Sequence, residues 1–184
     1  MNGRRGKIER FILILVMVFS FFQLWGEGLS EGSEKSPTGV HLLPTDNEIK
    51  GWKRDGDTLI ALKSPDLFKI LNGGASLYVK YGFQSYFGQT YRSSNNVELE
   101  VSIFDQESPQ KARQLYQDPL VVPKPRKVLE NLGDEARVDE RGLFHYGIEF
   151  IKDRLFVRVV IQDKSEQGLN TAVLFSRFIL QRVK

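Results

Sequence analysis

Two-residue alternation of apolar and polar side chains limits what this chain can fold into more than any other feature. Val97, Leu99, Val101 and Ile103 interleave with Glu98, Glu100 and Ser102. Phe144, Tyr146, Ile148 and Phe150 recur at the same spacing, and beyond a turn at Lys152-Asp153 so do Leu155, Val157, Val159 and Ile161. Successive strand side chains point to opposite faces, so this period marks half-buried strands, and the short turn makes the second pair an antiparallel hairpin. Phe83, Phe87 and Tyr91 place one face of another strand over 83–92, joined to the 97–103 run by Ser94-Asn95-Asn96 as the other hairpin. A short strand is expected at 58–62.

Helical signals lie between these runs. Ser64-Pro65-Asp66 and Ser108-Pro109 each combine an N-cap residue with proline at the first helical position. The first helix is expected to reach Tyr81 and stop at Gly82, and the second to end near Gln117. Pro119, Pro123 and Pro125 then impose an extended loop. Leu169, Val173, Phe175, Ile179 and Val183 form the apolar stripe of a last helix over about 169–182, whose use is to cover the sheet. The expected fold class is α+β: an antiparallel sheet of five to six strands in two hairpins, packed by about three helices.

The first 25 residues specify location. Arg4, Arg5, Lys7 and Arg10 precede an unbroken apolar block at 11–22 that ends at Trp25, the layout of an export signal. The 15 residues at 11–25 span about 22 Å as a helix, short of the roughly 30 Å bilayer core, which suits a cleaved signal peptide better than an anchor. No Ala-x-Ala-like site follows, so anchoring by residues 8–25 stands beside cleavage. The chain is therefore expected to be exported, periplasmic or extracytoplasmic. Residues 26–45, rich in Gly, Ser, Glu and Lys, read as a flexible tether, and 46–184 as a single α+β domain.

Charge and cysteine content exclude several functions. Of 26 Lys and Arg and 23 Asp and Glu, four and two precede residue 29, which leaves a nearly neutral remainder. That remainder lacks the clustered cations that track nucleic-acid phosphates. With no cysteine there is no disulfide, thiolate metal site, thiol nucleophile or lipoprotein acylation. No motif implies a cofactor, and membrane contact is expected only through the N-terminal segment if it stays uncleaved.

Three places carry candidate chemistry. Asn72, Gly73, Gly74 and Tyr78 lie in an expected helix where two adjacent glycines cost about 1 kcal/mol each relative to alanine. Either Gly74 and Ala75 let the helix sit close on the sheet, in which case Gly74→Leu overpacks it, or a break at Asn72-Gly73 offers backbone N–H groups to an anion. The alternation places Glu98, Glu100, His145, Glu149 and Arg158 on one outward sheet face, either a solvated surface or an acid/base set. Lys124, Arg126 and Lys127 make the proline-stiffened loop basic, which suits an acidic partner or lipid headgroups.

The residues Leu43-Pro44, Ile49-x-Gly51-Trp52, Leu67-Phe68, Asn72-Gly73-Gly74-Ala75, Tyr78 and Tyr81-Gly82-Phe83 form a pattern, continued by Glu98 to Asp105, Ser108-Pro109 and Gly133-Asp134-Glu135-Ala136. It resembles a family of uncharacterised exported bacterial proteins with a Trp followed by an LF-x-x-INGGA-x-x-Y-x-x-YGF block; Leu71 stands where that block has Ile. The resemblance covers about residues 43–162 and implies export without assigning an activity. The element order is also similar to the PsbP-like architecture. The expected function is a non-catalytic binding or assembly module of the cell envelope for a protein partner or small ligand. The alternative is an extracytoplasmic hydrolase-like enzyme using Glu98, Glu100, His145 or Glu149.

Overall fold

The computed structural model describes residues 39–124 and 127–183. The export segment, most of the expected tether and Arg126 lie outside the described residues. Strands β1 (Trp52–Ala61), β2 (Phe83–Ser93), β3 (Glu98–Gln106), β4 (Lys127–Val128), β5 (Glu135–Asp139), β6 (Tyr146–Lys152) and β7 (Leu155–Ile161) form one seven-stranded sheet, ordered β1-β2-β3-β7-β6-β5-β4. Every pairing is antiparallel. Helices α1 (Ser64–Leu71) and α2 (Ala75–Lys80) are separated by a 3-10 turn at Asn72–Gly74, α3 is Pro109–Tyr116, and α4 is Glu166–Arg182. The expected α+β architecture is observed, with one or two more strands than alternation alone indicated. Among the described residues no helix is long and apolar enough to cross a membrane.

Period two sends side chains to both faces, and each face carries its own layer. On the first, Leu99, Val101, Ile103, Ile148, Phe150, Val157, Val159 and Ile161 pack under Ala172, Phe175 and Ile179 of α4. Ser165 caps that helix by accepting from Gly168 N. The Phe175 ring meets Trp52 and Tyr91 edge-on, with centroids 5.3 and 5.1 Å away. Burying each such side chain contributes about 1.5–3 kcal/mol, which makes this layer the main anchor of the fold.

The second face is apolar in one row only. Ala61, Tyr86, Phe104, Phe156 and Ile151 stand side by side across five strands. Above them pack Leu67, Ala75 and Tyr78 from the first helical pair and Ala112, Leu115 and Tyr116 from α3. Tyr78 stacks flat on Phe104, with centroids 3.7 Å apart. The next row along the strands is polar and is described below.

Several expectations are corrected. Residues 39–45 are not a tether: Leu42 and Leu43 are buried in the α4-side core, and the carbonyls of Leu43 and Pro44 accept from Arg54, Tyr91 and Arg182. The Gly, Ser, Glu and Lys that suggested a tether stand mostly before residue 39, whereas Val40, Leu42 and Leu43 pack on the core. A register shift between Phe83 and Ser85 moves Phe83 to the second core, apart from Phe87 and Tyr91. Strand β1 begins six residues earlier than expected and is interrupted between Asp55 and Leu59, where Gly56 has φ of 75°. Phe144, read as an inward strand residue, precedes β6 and is 77% exposed.

Candidate functional site

The polar row crosses the middle of the second face. Pairing aligns Gly88, Ser102, Arg158, Glu149 and Arg137 on five neighbouring strands, one step along from the apolar row. Arg137 is fully buried and Glu149 is 3% exposed. Arg137 Nε donates to Glu149 Oε2 at 2.7 Å and Nη1 to the Tyr116 carbonyl at 2.6 Å, while the guanidinium lies 3.9 Å from the Tyr116 ring centroid. The last turn of α3 therefore roofs this ion pair.

Glu149 presents its other oxygen, Oε1, to Arg158 Nε at 3.5 Å. That Nε is buried without a well-formed hydrogen bond, whereas the Arg158 side chain as a whole is 40% exposed. Beside it, Ser102 donates to Glu100 Oε1 at 3.2 Å and lies 3.3 Å from the Tyr86 hydroxyl. Gly88 makes room for that hydroxyl, since a Cβ there would overlap it. One step further, Asp139 accepts two bonds from the Arg141 guanidinium, at 2.9 and 2.7 Å.

The electrostatics follow from burial. Desolvation pushes the Glu149 carboxyl above the ordinary range, although Arg137 and Arg158 pull it down. Burial also raises the Tyr78 phenol to about 12, with Arg158 opposing, so that hydroxyl shares the field of the polar row and stays protonated. Arg141 holds Asp139 below the ordinary carboxylate range. Three guanidiniums and three carboxylates meet here, Glu149 and Asp139 in ion pairs and Glu100 on Ser102. Arg158 is the member of the Arg137–Glu149–Arg158 chain whose side chain reaches solvent. Such an arrangement can hold a carboxylate or phosphate bidentately.

The expected site residues scatter around this row. Tyr78 reaches it from above, but Asn72, Gly73 and Gly74 are exposed on the outer side of the helical layer. The helix does break there: Asn72 has φ of 50° and ψ of −132°, and its N–H donates to the Phe68 carbonyl. The close-packing reading of Gly74 is overturned, because a Cβ on Gly73 or Gly74 would meet nothing within 4 Å. Ala75 is the residue that packs.

The outward set assembles in part: Glu149 and Arg158 pair in the polar row with Glu100 beside Ser102, while Glu98 and His145 lie apart from it. Glu98 pairs with Arg92 at 2.9 Å, Glu149 is engaged by Arg137, and Glu100 accepts from Ser102. His145 sits in the β5–β6 loop, its ring against Gly142. Among the described residues no three His, Cys, Asp or Glu side chains are grouped to hold a metal ion. In the basic loop, Lys127 pairs with Glu140 at 2.8 Å and Lys124 is exposed. Sequence reasoning missed Arg137 because Gly-Asp-Glu-Ala reads as a turn. The signal available was Ala136 and Val138 flanking it at spacing two.

No family model and no curated protein matches this chain. Among solved structures, the extracellular domain of PknH from Mycobacterium tuberculosis is similar with a TM-score of 0.51 at 13% identity, covering 78% of this chain and 93% of that one. At that identity the likeness is one of fold.

Proposed function

We propose that this protein is an exported cell-envelope domain that binds rather than catalyses, taking an anionic group of a small ligand or protein partner on Arg158. The carrying observation is that Arg158 is held, half-exposed, by a Glu149 that is itself buried and neutralised by Arg137. A buried ion pair is a poor route to stability, because desolvation offsets its Coulombic gain, and an apolar row would pack at less cost. Its positional consequence is a guanidinium drawn towards Glu149, with Nε 3.5 Å from the carboxylate, before any ligand arrives, which lowers the ordering cost of binding.

Export rests on the basic and apolar start of the chain, and the extracellular setting of the structurally similar domain is in keeping with it. The resemblance to the exported family with the INGGA-type block rests on the motif residues, and the PsbP-like comparison on the element order and the Gly133-Asp134-Glu135-Ala136 turn. A hydrolase reading draws no support from the positions of Glu98, Glu100, Glu149 and His145. The test is native mass spectrometry of the full chain purified from its own envelope after mild crosslinking, beside Arg158→Ala. A bound mass or crosslinked partner that disappears in the variant is expected. An identical set of adducts in both proteins, or none in either, overturns the reading.

A further inference from the structure

The β5–β6 connection presents two large apolar side chains to solvent: Leu143 is 82% exposed and Phe144 77%, and neither belongs to either core. The loop beneath them is built. Lys164 Nζ donates to the carbonyls of Glu140 and His145 at 2.8 and 3.1 Å and lies 4.2 Å from the Tyr146 ring centroid, tying the two ends of the loop together. Arg141 N and the Arg141 guanidinium both bond Asp139, and the His145 ring packs on Gly142. The loop that carries the two exposed side chains is thus tied at both ends.

Lys127, Arg141 and Lys164 are bonded to residues at the ends of this loop. Lys127 stands opposite Val138 at the end of β5, so the basic loop reaches the same end of the sheet as Leu143 and Phe144. Glu140 offsets Lys127 and Asp139 offsets Arg141. The Lys164 ammonium is bonded to carbonyls only, and Lys124 is exposed with no ion pair among the described residues. Two protruding side chains cover at most about 500 Å², while a stable protein–protein interface takes roughly 800 Å² from each partner. Apolar tips with neighbouring lysines instead match a lipid surface, where the rings enter the acyl boundary and the ammonium groups meet phosphates.

We infer that the 140–145 loop is a membrane-docking tip, inserting Leu143 and Phe144 into an anionic phospholipid surface with Lys124 and Lys164 at the headgroups. This is independent of anion binding at Arg158. The chain has no cysteine, so a single nitroxide can be placed on the full-length protein without background. Phe144→Cys and Leu143→Cys are labelled in turn, with Leu174→Cys on the exposed side of α4 as control. Adding phosphatidylcholine vesicles containing roughly a third phosphatidylglycerol is expected to raise the oxygen-to-nickel-chelate collision ratio at 143 and 144 about tenfold, and to leave 174 unchanged. Lys124→Glu in the labelled proteins is expected to lower vesicle affinity several-fold at low salt. Labels at 143 and 144 that stay open to the nickel chelate on vesicles overturn the inference. So does an oxygen-favoured signal that appears without lipid and grows with protein concentration, since a second copy then covers the tip.

Discussion

The face of the sheet under α4 and the face under α1 to α3 share the same strands but differ in what their middle row contains. Under α4, β3, β7 and β6 present an apolar surface, and a single helix closes it with Ala172, Phe175 and Ile179. On the other side the apolar row gives way, one step along the strands, to Ser102, Arg158, Glu149 and Arg137. The first face is explained by burial alone. The second includes two charged groups that burial disfavours, kept where a buried arginine and carboxylate orient an exposed arginine. The larger apolar core and the proposed anion site thus lie on opposite sides of one sheet.

Paired substitutions test that separation most strongly. Phe175→Ala removes a fully buried ring and should cost about 3–5 kcal/mol in denaturant unfolding. Glu149→Ala should cost a similar amount, about 3–5 kcal/mol, because it strands Arg137 as a buried unpaired charge. The difference lies in rescue: Arg137→Met with Glu149→Leu should restore or exceed the original stability, since the charges leave together. A double variant as unstable as Glu149→Ala would place the ion pair among the stabilising contacts and break the comparison.

A smaller effect is expected from acid. Asp118 pins the second-face helical layer by accepting from the Tyr81 hydroxyl, Leu120 N and Lys80. These bonds, the Tyr81 hydroxyl foremost, hold its carboxyl at about 2, below the unfolded value near 3.9. A carboxylate lowered in the folded state contributes stability that is full above the unfolded value and is lost as pH falls through the folded one. The stability difference between the protein and Asp118→Asn should therefore shrink between about pH 4 and pH 2. A difference constant over that window would remove Asp118 from the pins of this layer.

The smallest change is a gain. Gly74 has φ of −69° and ψ of −22°, helical values open to any residue, and its missing Cβ faces open space. Gly74→Ala should raise stability by about 0.4–1 kcal/mol by restricting the unfolded chain. A loss in thermal melting would mean that something covers the glycine after all.

Much of the architecture was legible because it is local. The alternation at 97–103, 144–150 and 155–161 and the cap at Ser108 each depend on backbone geometry and near neighbours, and the structure contains them, Phe144 apart, as strands and a capped helix. Strand β5 was missed although Glu135, Arg137 and Asp139 alternate with Ala136 and Val138: the run is only five residues long and its opening motif suits a turn. The helical wheel around Gly73 and Gly74 located the anomaly but not its surroundings.

What the sequence determined by itself is therefore the period: which stretches are strands or helices, and which side chains share a face within each. Only the tertiary structure decided what those faces meet. The same spacing two buries Phe150 and leaves Phe144 in water, because Lys164, from the segment after β7, closes the loop at His145 before pairing begins. The same outward parity leaves Glu100 in solvent and buries Glu149, because the end of α3 roofs one and not the other. Periodicity is a property of the local backbone, while burial and ion pairing depend on register and on chain segments far away in sequence.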